Sequence, residues 1–260
     1  MTVLLRSHAH VPVGSADVLP RLAAVAWPHR AALRAGARTT TFAELDDTVS
    51  RLAFGLRQLI GGDGLPVVVS AALGLDFPAA FYAVLRSGNV VVPVNPRMPA
   101  ETFAGVLAES GARAAVLGRV TYERVRPVLA GARLEQVVLH DAPAVAGQLT
   151  CAELATRGSL LVEPRDRDEH ATAILDGRRT RAHHELKAAA LARAEVLGAD
   201  SVVLNATSAY QPADLGAGLA AGATQVLLGN PDPAAARREA ARVGATHVWR
   251  DGDARLAVAS

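Results

Sequence analysis

Short runs of purely apolar, mostly β-branched residues recur along the chain: Val67-Val68-Val69, Val90-Val91-Val92, Ala114-Ala115-Val116-Leu117 and Val137-Val138-Leu139. A strand with no polar residue has no side to show to water, so such runs require cover on both faces, the environment of a parallel sheet between helices. The segments between them have helical period. Leu45, Val49, Leu52, Leu56 and Leu59 step by three and four and predict a helix with one buried stripe. Thr41 stands three residues before Glu44, the spacing of a capping box. The Gly61-Gly62-Asp63-Gly64 turn ends that helix. Pro78 and Gly88 bracket a second helix, and the prolines at 93, 96 and 99 predict a rigid extended loop after the strand that follows it.

The pattern predicts an α/β fold of two alternating α/β lobes with mainly parallel sheets. Residues 1–19 form a leader without clear period. A first lobe spans 20–165 and a second 166–260, the boundary falling where 141–169 lose the pattern and carry a charge run from Glu163 to Glu169. In the second lobe, strand Thr172–Leu175 meets Asp176-Gly177, a hairpin signal that predicts a short return strand over Arg178–Arg181. A long helix from about His183 to Leu197 follows. Strands at Ser201–Leu204, Thr224–Leu228 and Thr246–Trp249 then alternate with helices near 213–221 and 233–243.

Half of the 260 residues are hydrophobic and 27 Lys+Arg face 25 Asp+Glu for a formal +2, which excludes a disordered chain and gives nucleic-acid binding little support. No apolar run approaches the roughly 18 residues of a membrane helix. Thr2–Leu5 is followed by Arg6 and His8, not by a signal-peptide core. The one cysteine, Cys151, makes no internal disulfide, so the expectation is a cytoplasmic protein without a membrane partner.

Isolated chemical candidates have plainer explanations. His183 and His184 are adjacent, so on a helix their rings point about 100° apart and cannot share one metal. Gly216-Ala217-Gly218-Leu219-Ala220-Ala221-Gly222 lies too far from the preceding strand for a dinucleotide fingerprint and suits close helix packing. Ser70, Ser87 and Ser208 lack a nucleophile elbow. Cys151 has no basic neighbour except Arg157 and reads as an inert thiol. Arg178, Arg179 and Arg181, with Arg165 and Arg167, form a basic cluster that suits a phosphate or carboxylate, balanced by Asp166, Asp168 and Glu169.

Several stretches in order resemble the amino-terminal part of the adenylate-forming superfamily of acyl-CoA synthetases, adenylation domains and luciferases. Pro28–Leu33 with Thr40–Leu45 resembles its opening, and Ala83–Pro99 its helix, small-residue turn, strand and proline-rich loop. Leu219–Leu228 and Thr246–Val248 resemble later strands, so the likeness runs from about residue 20 to 250. It implies lobes like the amino-terminal subdomains of acyl-CoA synthetases.

The departures bear on activity. The family's Ser/Thr/Gly-rich loop, which carries a lysine and cradles the ATP phosphates, corresponds here to Asp176-Gly177-Arg178-Arg179-Thr180-Arg181, which has one glycine, one threonine and no lysine. The chain also ends soon after Trp249, before the family's adenine pocket, ribose-binding aspartate and mobile domain. The resemblance therefore implies a candidate vestigial site at Asp176, Gly177, Arg178, Arg179, Arg181 and His183, with Asn205 and Tyr210 beside the acyl pocket. No catalytic, cofactor-binding or metal residue is assigned, and no cofactor.

The expectation is a degenerate, non-adenylating binding or scaffold subunit. It would pair as a homodimer or with a pathway enzyme, in a bacterial specialised-metabolite pathway suited to the Arg- and Ala-rich composition. The alternatives are an enzyme of changed chemistry on an acyl or CoA-like ligand in the groove between the lobes, and one half of a split ligase.

Overall fold

The computed structural model describes residues 11–61, 63–140, 148–159, 168–209, 211–229, 232–250 and 253–256. In chain order the elements are α1 (Val18–Ala26), β1 (Ala31–Ala35), β2 (Arg38–Thr41), α2 (Phe42–Ile60), β3 (Pro66–Ser70), α3 (Asp76–Ser87) and β4 (Val90–Val94). There follow α4 (Ala100–Ser110), β5 (Ala114–Gly118), α5 (Arg119–Leu129), β6 (Gln136–His140), β7 (Leu149–Thr150), α6 (Cys151–Arg157) and β8 (Thr172–Asp176). The remainder is β9 (Arg179–Ala182), α7 (His183–Ala194), β10 (Val202–Asn205), α8 (Pro212–Ala221), β11 (Thr224–Leu227), α9 (Pro233–Val243), β12 (His247–Arg250) and β13 (Asp253–Leu256).

Two mixed sheets, parallel at their centres, hold the strands. One has the order β7-β6-β5-β3-β4-β8-β9 and the other β13-β12-β10-β11-β1-β2. The apolar runs occupy the centre of the first: Val67, Val68 and Val69 are 0% exposed and pair in parallel with Val91, Val92 and Pro93 on one side and Ala114, Ala115 and Val116 on the other. Antiparallel pairs appear at the margins, β9 on β8, β2 on β1 and β13 on β12.

The sheets do not follow the expected division at 165/166. β1 leaves the first lobe's sequence to pair with β11 and carries β2 on its outer edge, while β8 joins β4 and carries β9. Strand exchange between distant segments leaves no local mark in a sequence. The expected leader also changes character. Residues 1–10 lie outside the described residues, but α1 begins at Val18 and Ala16 and Leu19 are buried.

Local expectations about helices translate into contacts. Thr41 caps α2: its Oγ1 accepts from the Glu44 N–H at 3.2 Å and its own N–H donates to Glu44 Oε2 at 2.8 Å. Gly88 ends α3 at φ +99°, a conformation that a glycine adopts without steric cost. Every residue of α3 from Phe77 to Ser87 is buried, because the helix lies against α2 on one side and β3 and β4 on the other. Phe81 and Tyr82 meet edge to face at 5.1 Å.

An arginine inside such a helix must be fully paired. Arg86 donates from Nε to Asp17 Oδ2 at 2.9 Å and from Nη2 to Asp46 Oδ1 at 2.6 Å, and reaches the Ser50 hydroxyl at 2.8 Å. The small-residue run of α8 is a packing device. A Cβ on Gly216 would lie 2.6 Å from the Cβ of Ala190 in α7, and one on Gly218 would strike the Gln225 side chain.

Candidate functional site

In a parallel sheet, loops leave the carboxyl ends of the strands, and that rim is where ligands bind. Here the ends of β4 and β8 face the loop between β10 and α8 across a cavity of about 220 Å³. Asn95, Asp176, Arg181, Ser208 and Gln211 give it a polar lining, and Pro93, Ile174 and Pro212 an apolar floor. Asn95 is held in place by its own turn, its Oδ1 accepting from the Arg97 N–H at 2.8 Å. A space of this size is smaller than the roughly 300 to 1,000 Å³ of drug-sized pockets and suits a small ligand.

The predicted return strand forms. β9 pairs antiparallel with β8 in the register Asp176↔Arg179 and Leu175↔Thr180. Only Gly177 and Arg178 remain to make the turn, with Gly177 at φ +59° as the tight connection requires. A two-residue turn between paired strands places its flanking amides in the ladder, which leaves few backbone donors to converge on an anion.

The structure gathers some predicted site residues and separates others. Asp176 and Arg181 line the cavity together. Arg178 and Arg179 are exposed beside it, and no ion pair is found for either among the described residues. His183 does not belong to the cavity: it follows the far end of β9, is 0% exposed, and accepts the Ala16 N–H at Nδ1 at 3.1 Å. Asn205 is also 0% exposed and set back beneath the loop, its Oδ1 accepting from the Thr207 hydroxyl at 2.9 Å. Tyr210, Arg165, Asp166 and Arg167 lie outside the described residues. The two adjacent histidines diverge as helix geometry requires, the His184 ring packing against His170 at 4.6 Å with the planes inclined at 59°. Ser208 and Gln211, absent from the expected site, enter the lining because α8 starts at Pro212 and turns the loop inward. The proline fixing that start was the available signal.

Two buried polar groups stand behind the rim. Ser70 Oγ lies 2.9 Å from His140 Nε2 and accepts the Gly118 N–H at 2.8 Å. Ser70 is 0% exposed, so the trio ties together the ends of β3, β6 and β5 and offers no accessible nucleophile. Asp214, in the first turn of α8, is fully buried with Arg193 at 2.6 Å. Desolvation pushes its carboxyl up to about 6, against the opposing pull of the Arg193 guanidinium. Among the described residues no cluster of three or more His, Cys, Asp or Glu side chains could hold a metal ion, and no helix is long and apolar enough to cross a membrane.

Comparison with known proteins adds the family. The model of the family described as "AMP-binding enzyme" matches residues 21–175, ending one residue before Asp176. Benzoate–CoA ligase of Thauera aromatica is 30% identical over 214 residues, 75% of this chain and 40% of that protein. Phosphinothricin tripeptide synthetase PhsC of Streptomyces viridochromogenes is 34% identical over 122 residues, 45% of this chain and 11% of that protein. The apo structure of MbtA from Mycobacterium smegmatis superposes with a TM-score of 0.77 at 28% identity, over 90% of this chain and 47% of that one. The chain thus spans less than half the length of each of these relatives.

Proposed function

Because the chain belongs to the AMP-binding enzyme family, matched over more than half its length, we propose that it is a member that does not adenylate and serves as a binding subunit. The observation that carries the reading is the β8–β9 hairpin. Stabilising the charge on a transferring phosphoryl group takes several preorganised donors aimed at one point. The segment at that place closes through Gly177 and Arg178 alone, with Asp176 and Arg179 already paired in the ladder.

The cavity beside the hairpin supports a retained ligand site. Its lining offers one guanidinium, two amides and a hydroxyl against the single Asp176 carboxylate, a set that suits a small carboxylic acid or an acyl group better than a triphosphate. The relatives in peptide synthetases and CoA ligases support a setting in which acyl groups are handed between proteins. Thermal unfolding of the purified chain with Mg-ATP, AMP, CoA and a panel of small carboxylic acids tests the reading. A ligand at a hundred times its Kd adds about 2.7 kcal/mol to the native state, so an acid should raise the midpoint and Mg-ATP should leave it in place. A midpoint raised by Mg-ATP refutes the proposal.

A further inference from the structure

Residues 12–17 bend and turn over the packed helices; Ala16 is buried in the core, and the rest of the segment is held by polar groups from distant parts of the chain. Lys187, the one lysine in the sequence, is 0% exposed in the first turns of α7. An ammonium has three N–H donors, and all three are used: on the Pro12 carbonyl, on the Gly14 carbonyl at 2.5 Å and on Glu169 Oε2 at 3.2 Å. One turn earlier, His183 Nδ1 takes the Ala16 N–H. From the other side Arg86 of α3 grips Asp17 twice, from Nε to Oδ2 at 2.9 Å and from Nη2 to the main-chain carbonyl at 3.0 Å. Val13, between the two carbonyls that Lys187 engages, is 85% exposed and buries nothing in return.

The segment thus joins α3, packed on β3 and β4, to α7, packed on α8. It does so at the end of the fold away from the cavity. Arg86 precedes the start of β4 and the cavity lies past its end at Val94, about 16 Å along a strand of five residues. His183 and Lys187 likewise follow the end of β9 remote from the Gly177 turn.

We propose that residues 12–17 form a latch that closes over the Lys187 ammonium, and that its release, which exposes that ammonium, is the lowest-energy opening of the fold. Apart from Ala16 the segment buries little apolar surface and is held by a few polar contacts, the kind of segment that opens separately from global unfolding. The latch also contains a built-in weak point. Gly14 sits at φ +91° with nothing within 4 Å of where a Cβ would stand, so an alanine there meets backbone strain and no clash.

The sequence supplies its own reporter, because acetylation of the intact protein by an N-hydroxysuccinimide ester can modify one side-chain amine only. Lys187 should react at least about a hundredfold more slowly than a free lysine amide, as expected when opening limits access. Gly14→Ala should speed that reaction by about five- to thirtyfold, the usual range for placing a Cβ in this backbone region. Gly111→Ala is the control: it has φ +66° and equally open surroundings at the end of α4, and should leave the Lys187 rate within about twofold while lowering the unfolding midpoint. Lys187 reacting at the free-amine rate, Gly14→Ala without effect, or Gly111→Ala with the same effect as Gly14→Ala would each overturn the latch.

Discussion

Replacing Arg86 by methionine is the sharpest perturbation available to this fold. Arg86 is 5% exposed and its guanidinium makes five contacts: Asp17 Oδ2 and main-chain O, Asp46 Oδ1 and main-chain O, and Ser50 Oγ. Methionine fills a comparable volume, so the loss is electrostatic and not a cavity. It takes the guanidinium from Asp46, whose side chain is 18% exposed, and leaves Asp17, 12% exposed, with only the more distant Arg21 guanidinium at 3.8 Å and the Ser15 hydroxyl; an uncompensated buried charge costs about 3 to 5 kcal/mol. That is a third or more of the roughly 5 to 15 kcal/mol that holds a domain together. Urea unfolding followed by Trp27 and Trp249 fluorescence should show the midpoint fall with the slope unchanged. The triple variant Arg86→Met, Asp17→Asn, Asp46→Asn should recover about half of the loss, since neutral amides tolerate burial better. A loss below about 1 kcal/mol for Arg86→Met, the range of an exposed ion pair, would refute the argument.

Other expectations follow from particular contacts. The Asp214 carboxyl titrates near 6 against an ordinary 3.8, so the folded state holds the proton more tightly than the unfolded one. Stability from this group is full below about pH 4 and declines as pH rises to about 6, by roughly 2 to 3 kcal/mol. Asp214→Asn should flatten that slope in melts taken across the range, and an unchanged slope would show that another group sets it. Gly216→Ala puts a Cβ 2.6 Å from that of Ala190 and should cost about 1 to 3 kcal/mol by forcing α7 and α8 apart, measurable as a lowered melting temperature. Thr41→Ala removes the α2 cap bond to the Glu44 amide and should cost about 1 kcal/mol in the same assay. Arg181→Ala, on an exposed rim of the cavity, should leave the melting temperature within a degree or two and abolish the stabilisation by small acids.

What the sequence revealed was what local chemistry decides. The all-apolar valine runs declared central strands, Thr41 and Glu44 declared a cap, and Asp176-Gly177 declared the hairpin on which the functional reading rests. What stayed hidden depends on distant pairing. β1 is rich in alanine, a weak strand former, and becomes a strand by lying against β11, nearly two hundred residues on. Residues 12–17 have no periodicity to read, and their anchors Arg86, His183 and Lys187 are spread along the chain. One signal was available: a single arginine near the end of the otherwise apolar run Phe77–Leu85 needs a buried partner. His183 and Asn205 were placed in the site by the resemblance to the adenylate-forming family. Strand direction puts His183 at the opposite end of β9, whereas Asn205 ends β10 on the cavity side but is buried, its side chain turned to the Thr207 hydroxyl.

The most direct test of the central claim is ATP–pyrophosphate exchange by the purified chain with benzoate, short fatty acids and amino acids as acceptors. The proposed loss of adenylation predicts no exchange above the protein-free background with any acid, including those that raise the unfolding midpoint. Acid-dependent exchange that survives further purification would contradict the account and place a phosphate site in this chain.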